Sequence, residues 1–261
     1  MKIIDCFIFY NELDMLEFRL NELNDVVDYF VLVECIKTHI NNDKELYFEN
    51  NKHKFSKFID KIIHIIVKDN IPDSSNAWDI ENYQRRGIDH GIKQLDLNSE
   101  DLIIISDLDE IPSTNTLLSI KNANGIDGVY SLEQDLYYYN LNCKSDNKWY
   151  HPKILNYGYY NNDPQSIRDW GPNVKGHFEK GGWHLSYFGD IEFIKNKIKN
   201  FAHQEFNNEF ILNDERILKQ IQNNGDIYSR NINNCKYIDV NDNTYLPHKY
   251  KEFEHLLLKK L

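Results

Sequence analysis

The sequence predicts an α/β protein, with a mostly parallel central sheet flanked by helices in a single domain. Three observations carry that expectation. Strand-like and helix-like segments alternate through the N-terminal half. The strand-like segments are apolar throughout, as in parallel strands covered on both faces. No linker or internal repeat divides the 261 residues, a length that can bury one full core.

The elements follow in order. Ile3–Tyr10 is β-branched and aromatic without a helical period, which marks a buried strand. Asn11 or Asp14 can cap a helix running to about Asn24, with Leu13, Leu16, Leu20 and Leu23 on one face. Val26–Glu34 and Lys61–Val67 are the next strands. Ser75 or Asn76 opens a long helix, Trp78 to about Leu95, and Asp101–Ser106 is a fourth apolar strand. The second half is less regular. Gly128–Tyr139 alternates like an antiparallel strand, Trp149–Tyr160 is aromatic and turn-rich, and Asn161–Gly176 reads as a loop marked by Asp163-Pro164 and Gly171-Pro172. Trp183–Phe188 is a further strand, and Asp190–Phe206 and Asp214–Asn223 are helices.

Composition narrows the function. Lys plus Arg is 30 and Asp plus Glu is 41, a formal charge of −11. Nucleic acid needs a basic face and so does anionic lipid, so neither is an expected partner. A hydrophobic content of 41% excludes disorder, and no run approaches the roughly 18 apolar residues of a membrane span. The 33 Asn are scattered among periodic apolar residues and read as codon bias, not as a low-complexity segment. Cys6, Cys35, Cys143 and Cys235 lie far apart with no C-x-x-C pair, so reduced thiols are expected. Met1-Lys2-Ile3-Ile4 opens straight into a strand without a secretory signal pattern, and no N-x-Ser/Thr sequon occurs. Together these point to a cytoplasmic protein.

The segment with most chemistry is Leu102-Ile103-Ile104-Ile105-Ser106-Asp107-Leu108-Asp109-Glu110-Ile111-Pro112. A buried strand ends in three carboxylates within four residues, at the strand end where open α/β sheets bind ligands. Asp107 and Asp109, two apart on extended backbone, project to one side and make half of a site for Mg²⁺ or Mn²⁺, with diphosphate oxygens completing the shell. Pro112 is expected to stop the strand and start a helix or turn. A solvated acidic turn is the plain alternative. A phosphohydrolase of D-x-D-x-T type is another, with the first Asp as nucleophile, although Ile111 stands where its Thr belongs.

Several segments together resemble glycosyltransferase family 17, which includes the bisecting β-1,4-N-acetylglucosaminyltransferases. They are Asp5-Cys6-Phe7-Ile8-Phe9-Tyr10-Asn11-Glu12, Arg19-Leu20-Asn21-Glu22-Leu23, Val27–Glu34, Thr38-His39, Ser106–Pro112, Gly182-Trp183-His184-Leu185-Ser186 and Phe201–Glu205. The resemblance runs over about residues 1 to 250 and implies a GT-A-like, Rossmann-like catalytic domain over residues 1–261. Residues 1–112 would be its nucleotide-sugar half and residues 113–261 its acceptor half. It implies an inverting transfer of GlcNAc from UDP-GlcNAc to a glycan hydroxyl, forming a β1,4 bond with Mn²⁺. A catalytically silent nucleotide-sugar or glycan binder remains the non-enzymatic alternative.

Candidate residues follow. His184 is a third metal ligand beside Asp107 and Asp109, or a structural His packed by Trp183; His203 and Glu205 are weaker candidates for the same wall. An inverting transfer needs a base opposite the leaving UDP. Asp190 is the leading candidate, with helix capping as its other role, and Glu133 and Asp135 are its rivals. Uracil would lie at Tyr10-Asn11-Glu12, and Arg85 or Arg86 would neutralise phosphate, unless Arg85 merely pairs with Glu81 at i,i+4 spacing. Tyr137, Tyr138, Tyr139, Trp149, Tyr157 and Trp170 form either an acceptor platform or core.

Overall fold

A computed structural model describes residues 1–170, 174–230 and 235–258. The first half runs β1 (Ile3–Phe9), α1 (Leu13–Leu23), β2 (Tyr29–Cys35), α2 (Tyr47–Asn51), β3 (Ile62–Val67), α3 (Ala77–Arg86), α4 (Ile88–Ile92), β4 (Leu102–Asp107) and β5 (Glu110–Pro112). The second runs α5 (Thr114–Asn122), β6 (Val129–Tyr138), β7 (Cys143–Trp149), β8 (Lys153–Asn156), α6 (Pro164–Arg168), β9 (His177–Ser186), α7 (Ile191–Asn200), α8 (Asp214–Gln222), β10 (Cys235–Tyr237) and α9 (Glu254–Leu257).

One sheet runs through both halves in the order β10-β7-β6-β8-β4-β1-β2-β3, with β9 beside β6 and β5 on β9. The block β4-β1-β2-β3 is parallel, as the apolar strands predict. Beyond β4 the sheet turns antiparallel through β8, β6, β7 and β10, while β9 runs parallel to β6. Side chains alternate across the parallel block. Ile3, Phe7, Leu32 and Ile104 join the core under α1 and α5, and Ile4, Cys6, Val31 and Ile105 join the core under α4 and α6. A third core packs Ile194, Ile198 and Ile217 of α7 and α8 against Leu136 and Tyr138. Among the described residues no helix is long and apolar enough to cross a membrane.

Several expectations are corrected. The helix expected over Trp78–Leu95 divides at Gly87 into α3 and α4, because the chain presses onto the sheet there. A Cβ on Gly91 would stand 2.4 Å from Val31 Cγ1. Neither Asn11 nor Asp14 caps α1; Glu12 holds the cap position and makes no side-chain cap bond. Pro112 ends β5 rather than starting a helix, and the Ser113 side chain caps α5. The Asp190–Phe206 helix ends at Asn200. Strand β7 stands where no element was expected, because Lys144-Ser145-Asp146-Asn147-Lys148 is polar, and β8 lies inside the aromatic stretch. Helix α6 lies inside the expected loop. Asp163 caps it and Pro164 takes its first turn, so that turn signal was a helix start. Gly171-Pro172 lies outside the described residues.

Candidate active site

The acidic motif is shaped from below. Arg19 of α1 is fully buried and its Nη1 donates to the carbonyl oxygens of Asp107 (2.7 Å), Leu108 (3.0 Å) and Glu110 (3.0 Å). Those bonds bend the chain after β4, so Leu108 and Asp109 form a turn and not the extended backbone expected. Strand β5 then pairs with β9, setting Glu110 opposite His184. Gly182 is required at that join. Its φ is +146°, and a Cβ there would meet the Ile111 carbonyl oxygen at 2.0 Å.

The two motif aspartates therefore face different partners. Asp107 accepts from Arg85 Nη2 through Oδ1 (2.9 Å) and from Arg168 Nη2 through Oδ2 (2.6 Å). Arg85 also reaches Glu81 (2.8 Å), so the expected i,i+4 pair and the approach to the motif are both present. Arg168 forks onto Glu110 with two bonds of 2.7 Å. Asp109 accepts from Lys197 Nζ (2.8 Å), which also donates to Glu12 (2.9 Å), and His184 Nε2 stands 3.7 Å from Asp109 Oδ1. His184 Nδ1 is buried and has no hydrogen-bond partner among the described residues.

Electrostatics follow from this wiring. Burial opposes charge on Asp109, yet Lys197 and His184 outweigh it and hold the carboxyl far below the usual carboxylate range. Burial likewise opposes charge on Glu110, but Arg168 prevails and brings it down to about 2. Glu12 is pushed up, by burial first and by facing Asp109, despite Lys197. Five carboxylates (Glu12, Glu81, Asp107, Asp109, Glu110) thus meet three cations (Arg85, Arg168, Lys197), an excess of two negative charges.

All of these groups but the fully buried Glu110 line a cavity of about 630 Å³ at the carboxyl ends of β1, β2 and β4. Its wall carries six Lys or Arg side chains: Lys37, Lys44, Arg85, Arg168, Lys197 and Arg230. Gln84 anchors α3 over the strand ends, donating to the carbonyl oxygens of Phe9 (3.1 Å) and Val33 (2.9 Å). Aromatic rings stand among these cations: Trp78, Tyr138, Trp149, Tyr187, Phe206 and Tyr228, with Lys197 over Tyr187 and Arg230 over Phe206 and Tyr228.

The structure brings together Glu12, Arg85, Asp107, Asp109 and His184 on this wall, with His203 at its edge against Trp78. Other expectations fall elsewhere. Asn11 is not on the wall, Arg86 pairs with Asp163, and Glu205 pairs with His203 off the wall. Asp190 is exposed and caps α7, accepting from Phe193 N at 2.9 Å. Asp135 is buried between Lys144 and Lys148, Glu133 meets Lys148 and His177, and neither lines the cavity. Of the expected platform, Tyr138 and Trp149 line the cavity; Tyr137 and Tyr139 are core, and Tyr157 and Trp170 pack on the sheet's other apolar layer.

Metal ligation is narrower than expected. Among the described residues no three His, Cys, Asp or Glu side chains stand together as a metal cage. Both oxygens of Asp107 accept from guanidinium groups, whereas Asp109 and His184 stand 3.7 Å apart with Lys197 on the other Asp109 oxygen.

The cavity lies at the carboxyl end of a parallel block, the place where open α/β sheets bind ligands. The chain belongs to glycosyltransferase family 17, whose pattern matches residues 1–252. Over 130 residues, 48% of the chain, it is 29% identical to the beta-1,4-mannosyl-glycoprotein 4-beta-N-acetylglucosaminyltransferases of Rattus norvegicus and Homo sapiens. That stretch covers 24% of each relative, so the chain spans only part of their length.

Proposed function

We propose that this chain transfers a sugar, GlcNAc by likeness to its relatives, from a UDP-sugar to a glycan hydroxyl with inversion. The observation that carries the reading is charge. In a chain of formal charge −11, the wall of one cavity carries six Lys or Arg side chains against five carboxylates (Glu12, Glu81, Asp107, Asp109 and Asp169), at strand ends suited to a nucleotide. Tyr10, Thr38, His39 and Lys44 offer a ring and polar groups to uracil and ribose. Arg85, Arg168 and Lys197 offer charge to the diphosphate. Trp78, Tyr187, Phe206 and Tyr228 offer ring faces to the apolar C–H faces of an acceptor sugar. On this reading residues 1–112 supply most donor contacts, and Arg168 and Lys197 reach back from the acceptor half. The base for the acceptor hydroxyl has to stand on the wall, where Asp190, Glu133 and Asp135 do not.

A divalent cation, Mn²⁺ or Mg²⁺, fits this reading. His184 turns Nε2 to within 3.7 Å of Asp109 Oδ1, an imidazole and a carboxylate of the kind Mn²⁺ accepts. Asp109 and His184 would hold it, with donor oxygens filling the shell. When bound it would withdraw charge from the departing diphosphate.

The test is a panel of UDP-sugars with a mannose-terminated glycan, with UDP release measured with Mn²⁺ and with EDTA. UDP release from UDP-GlcNAc together with a new glycan product is the expected result. Phosphate release from a phosphomonoester without UDP release would replace the reading with a phosphohydrolase. Binding without any release would leave a silent binder.

A further inference from the structure

The cavity cations are committed to different degrees. Arg168 is anchored by Glu110 and Asp107 and Arg85 by Glu81, Asp107 and Gln165, and their side chains are only 7% and 2% exposed. Lys197 differs in its access to the cavity. An ammonium has three N–H bonds, and among the described residues two of them are used, to Asp109 and Glu12. Its side chain is 22% exposed and faces the cavity. Helix α7 delivers this amine to Asp109, while Glu12 holds it from the start of α1. A charge fixed by two carboxylates with one N–H to spare is preorganised for a phosphoryl oxygen.

We propose that Lys197 carries the charge of the departing diphosphate, an inference that rests on the reading of the cavity as a UDP-sugar site. In the transfer the acceptor oxygen bonds to the anomeric carbon as the bond from that carbon to the diphosphate oxygen breaks. The bonding pair leaves with the diphosphate, and the hydroxyl proton passes to a base. Lys197 keeps its proton. It donates its third N–H to a phosphoryl oxygen, and its attraction strengthens as negative charge builds there. Glu12 is a positioning residue, since it acts through Lys197.

The experiment compares wild type, Lys197→Met, Lys197→Arg and Glu12→Gln by calorimetry with uridine and with UDP, and by UDP-GlcNAc turnover. Lys197→Met should bind uridine like wild type and UDP about 10- to 100-fold more weakly, the range for a lost hydrogen bond to a charged group. Its kcat should fall further than its UDP affinity, and Lys197→Arg should recover most of that affinity. Glu12→Gln should lower kcat more than it lowers UDP affinity. Lys197→Met binding UDP within about twofold of wild type would make the lysine a structural bridge and overturn the proposal. Should that variant not fold, Glu12→Gln with wild-type kcat overturns it. Wild type that binds no UDP removes the donor reading itself, whereas tight wild-type binding with an indifferent Lys197→Met removes only this inference.

Discussion

Arg19 and Asp5 meet in a two-pronged pair closed off from solvent, with Nε 2.8 Å from Oδ2 and Nη2 2.6 Å from Oδ1. The same guanidinium donates to Ser106 Oγ and to three carbonyl oxygens of the acidic motif. The pair lies beneath the strand end and fixes the backbone on which Asp107 and Asp109 ride. A residue that touches no cavity thereby sets the geometry of those that do.

Arg19→Met should lower unfolding stability by about 3–5 kcal/mol, because it strands the buried Asp5 carboxylate without its partner. Urea unfolding at pH 7 checks this. A loss under about 1 kcal/mol would mean that Asp5 finds another partner or water.

The parallel block was legible because Ile3–Tyr10, Asp5 apart, and Leu102–Ile105 are apolar on both faces, as in a doubly covered sheet. The acidic motif stood out because three carboxylates follow an apolar strand within four residues. Arg168 and Lys197 did not. Arg168 follows Asp163-Pro164, a dipeptide that marks a turn as readily as a helix start. Lys197 is one of three lysines at alternate positions, Lys195, Lys197 and Lys199, on an amphipathic helix. Nothing local separates the one that turns inward from a solvated face. The D-x-D spacing misled for a related reason: alternation holds on extended backbone, and Arg19 bends this segment into a turn.

Asp107 and Asp109 should separate under mutation. Asp109→Asn should abolish the gain in UDP affinity that Mn²⁺ gives, since Asp109 is the motif aspartate beside His184. Asp107→Asn should weaken UDP binding equally with and without Mn²⁺, by loosening Arg85 and Arg168. Calorimetry with and without the ion decides it. Equal loss of the Mn²⁺ effect in both variants would restore the paired chelate.

Acid should act through Glu110. Its folded value is lowered from 4.5 to about 2, chiefly by Arg168 against burial. A depressed carboxyl stabilises the fold above its unfolded pKa, and that contribution fades as pH falls from about 4.5 towards about 2. The span corresponds to about 3 kcal/mol at 1.36 per unit. Glu110→Gln should therefore unfold with a flatter dependence on pH across that window. An unchanged slope between pH 5 and 2.5 would show that Arg168 does not hold Glu110 ionised.

Thiol chemistry should single out Cys235. Cys6, Cys35 and Cys143 are buried, and burial pushes the Cys6 and Cys35 thiols up. Cys235 is partly exposed, and a hydrogen bond from Cys143 lowers its thiol. A thiol reagent should find one fast site in the native protein, lost in Cys235→Ser, and four sites after denaturation. Two or fewer after denaturation would reveal a disulfide.

Asp190→Asn should leave turnover within about fivefold of wild type. Asp190 is exposed at the start of α7, its Oδ1 accepts from Phe193 N, and it does not line the cavity. A general base has to reach the acceptor hydroxyl directly or through one water, and losing one typically costs 10²- to 10⁴-fold, roughly 3–5 kcal/mol. Asn keeps the capping oxygen, so the helix start should survive, whereas Asp190→Ala should cost about 1 kcal/mol of stability at the same site. The two substitutions therefore separate cap from catalyst: a cap shows in the unfolding of the Ala variant, and a base shows in the kcat of the Asn variant. A hundredfold fall in kcat for Asp190→Asn with UDP affinity intact would mean that α7 shifts on acceptor binding to carry this carboxylate to the wall, and the base would be Asp190 after all.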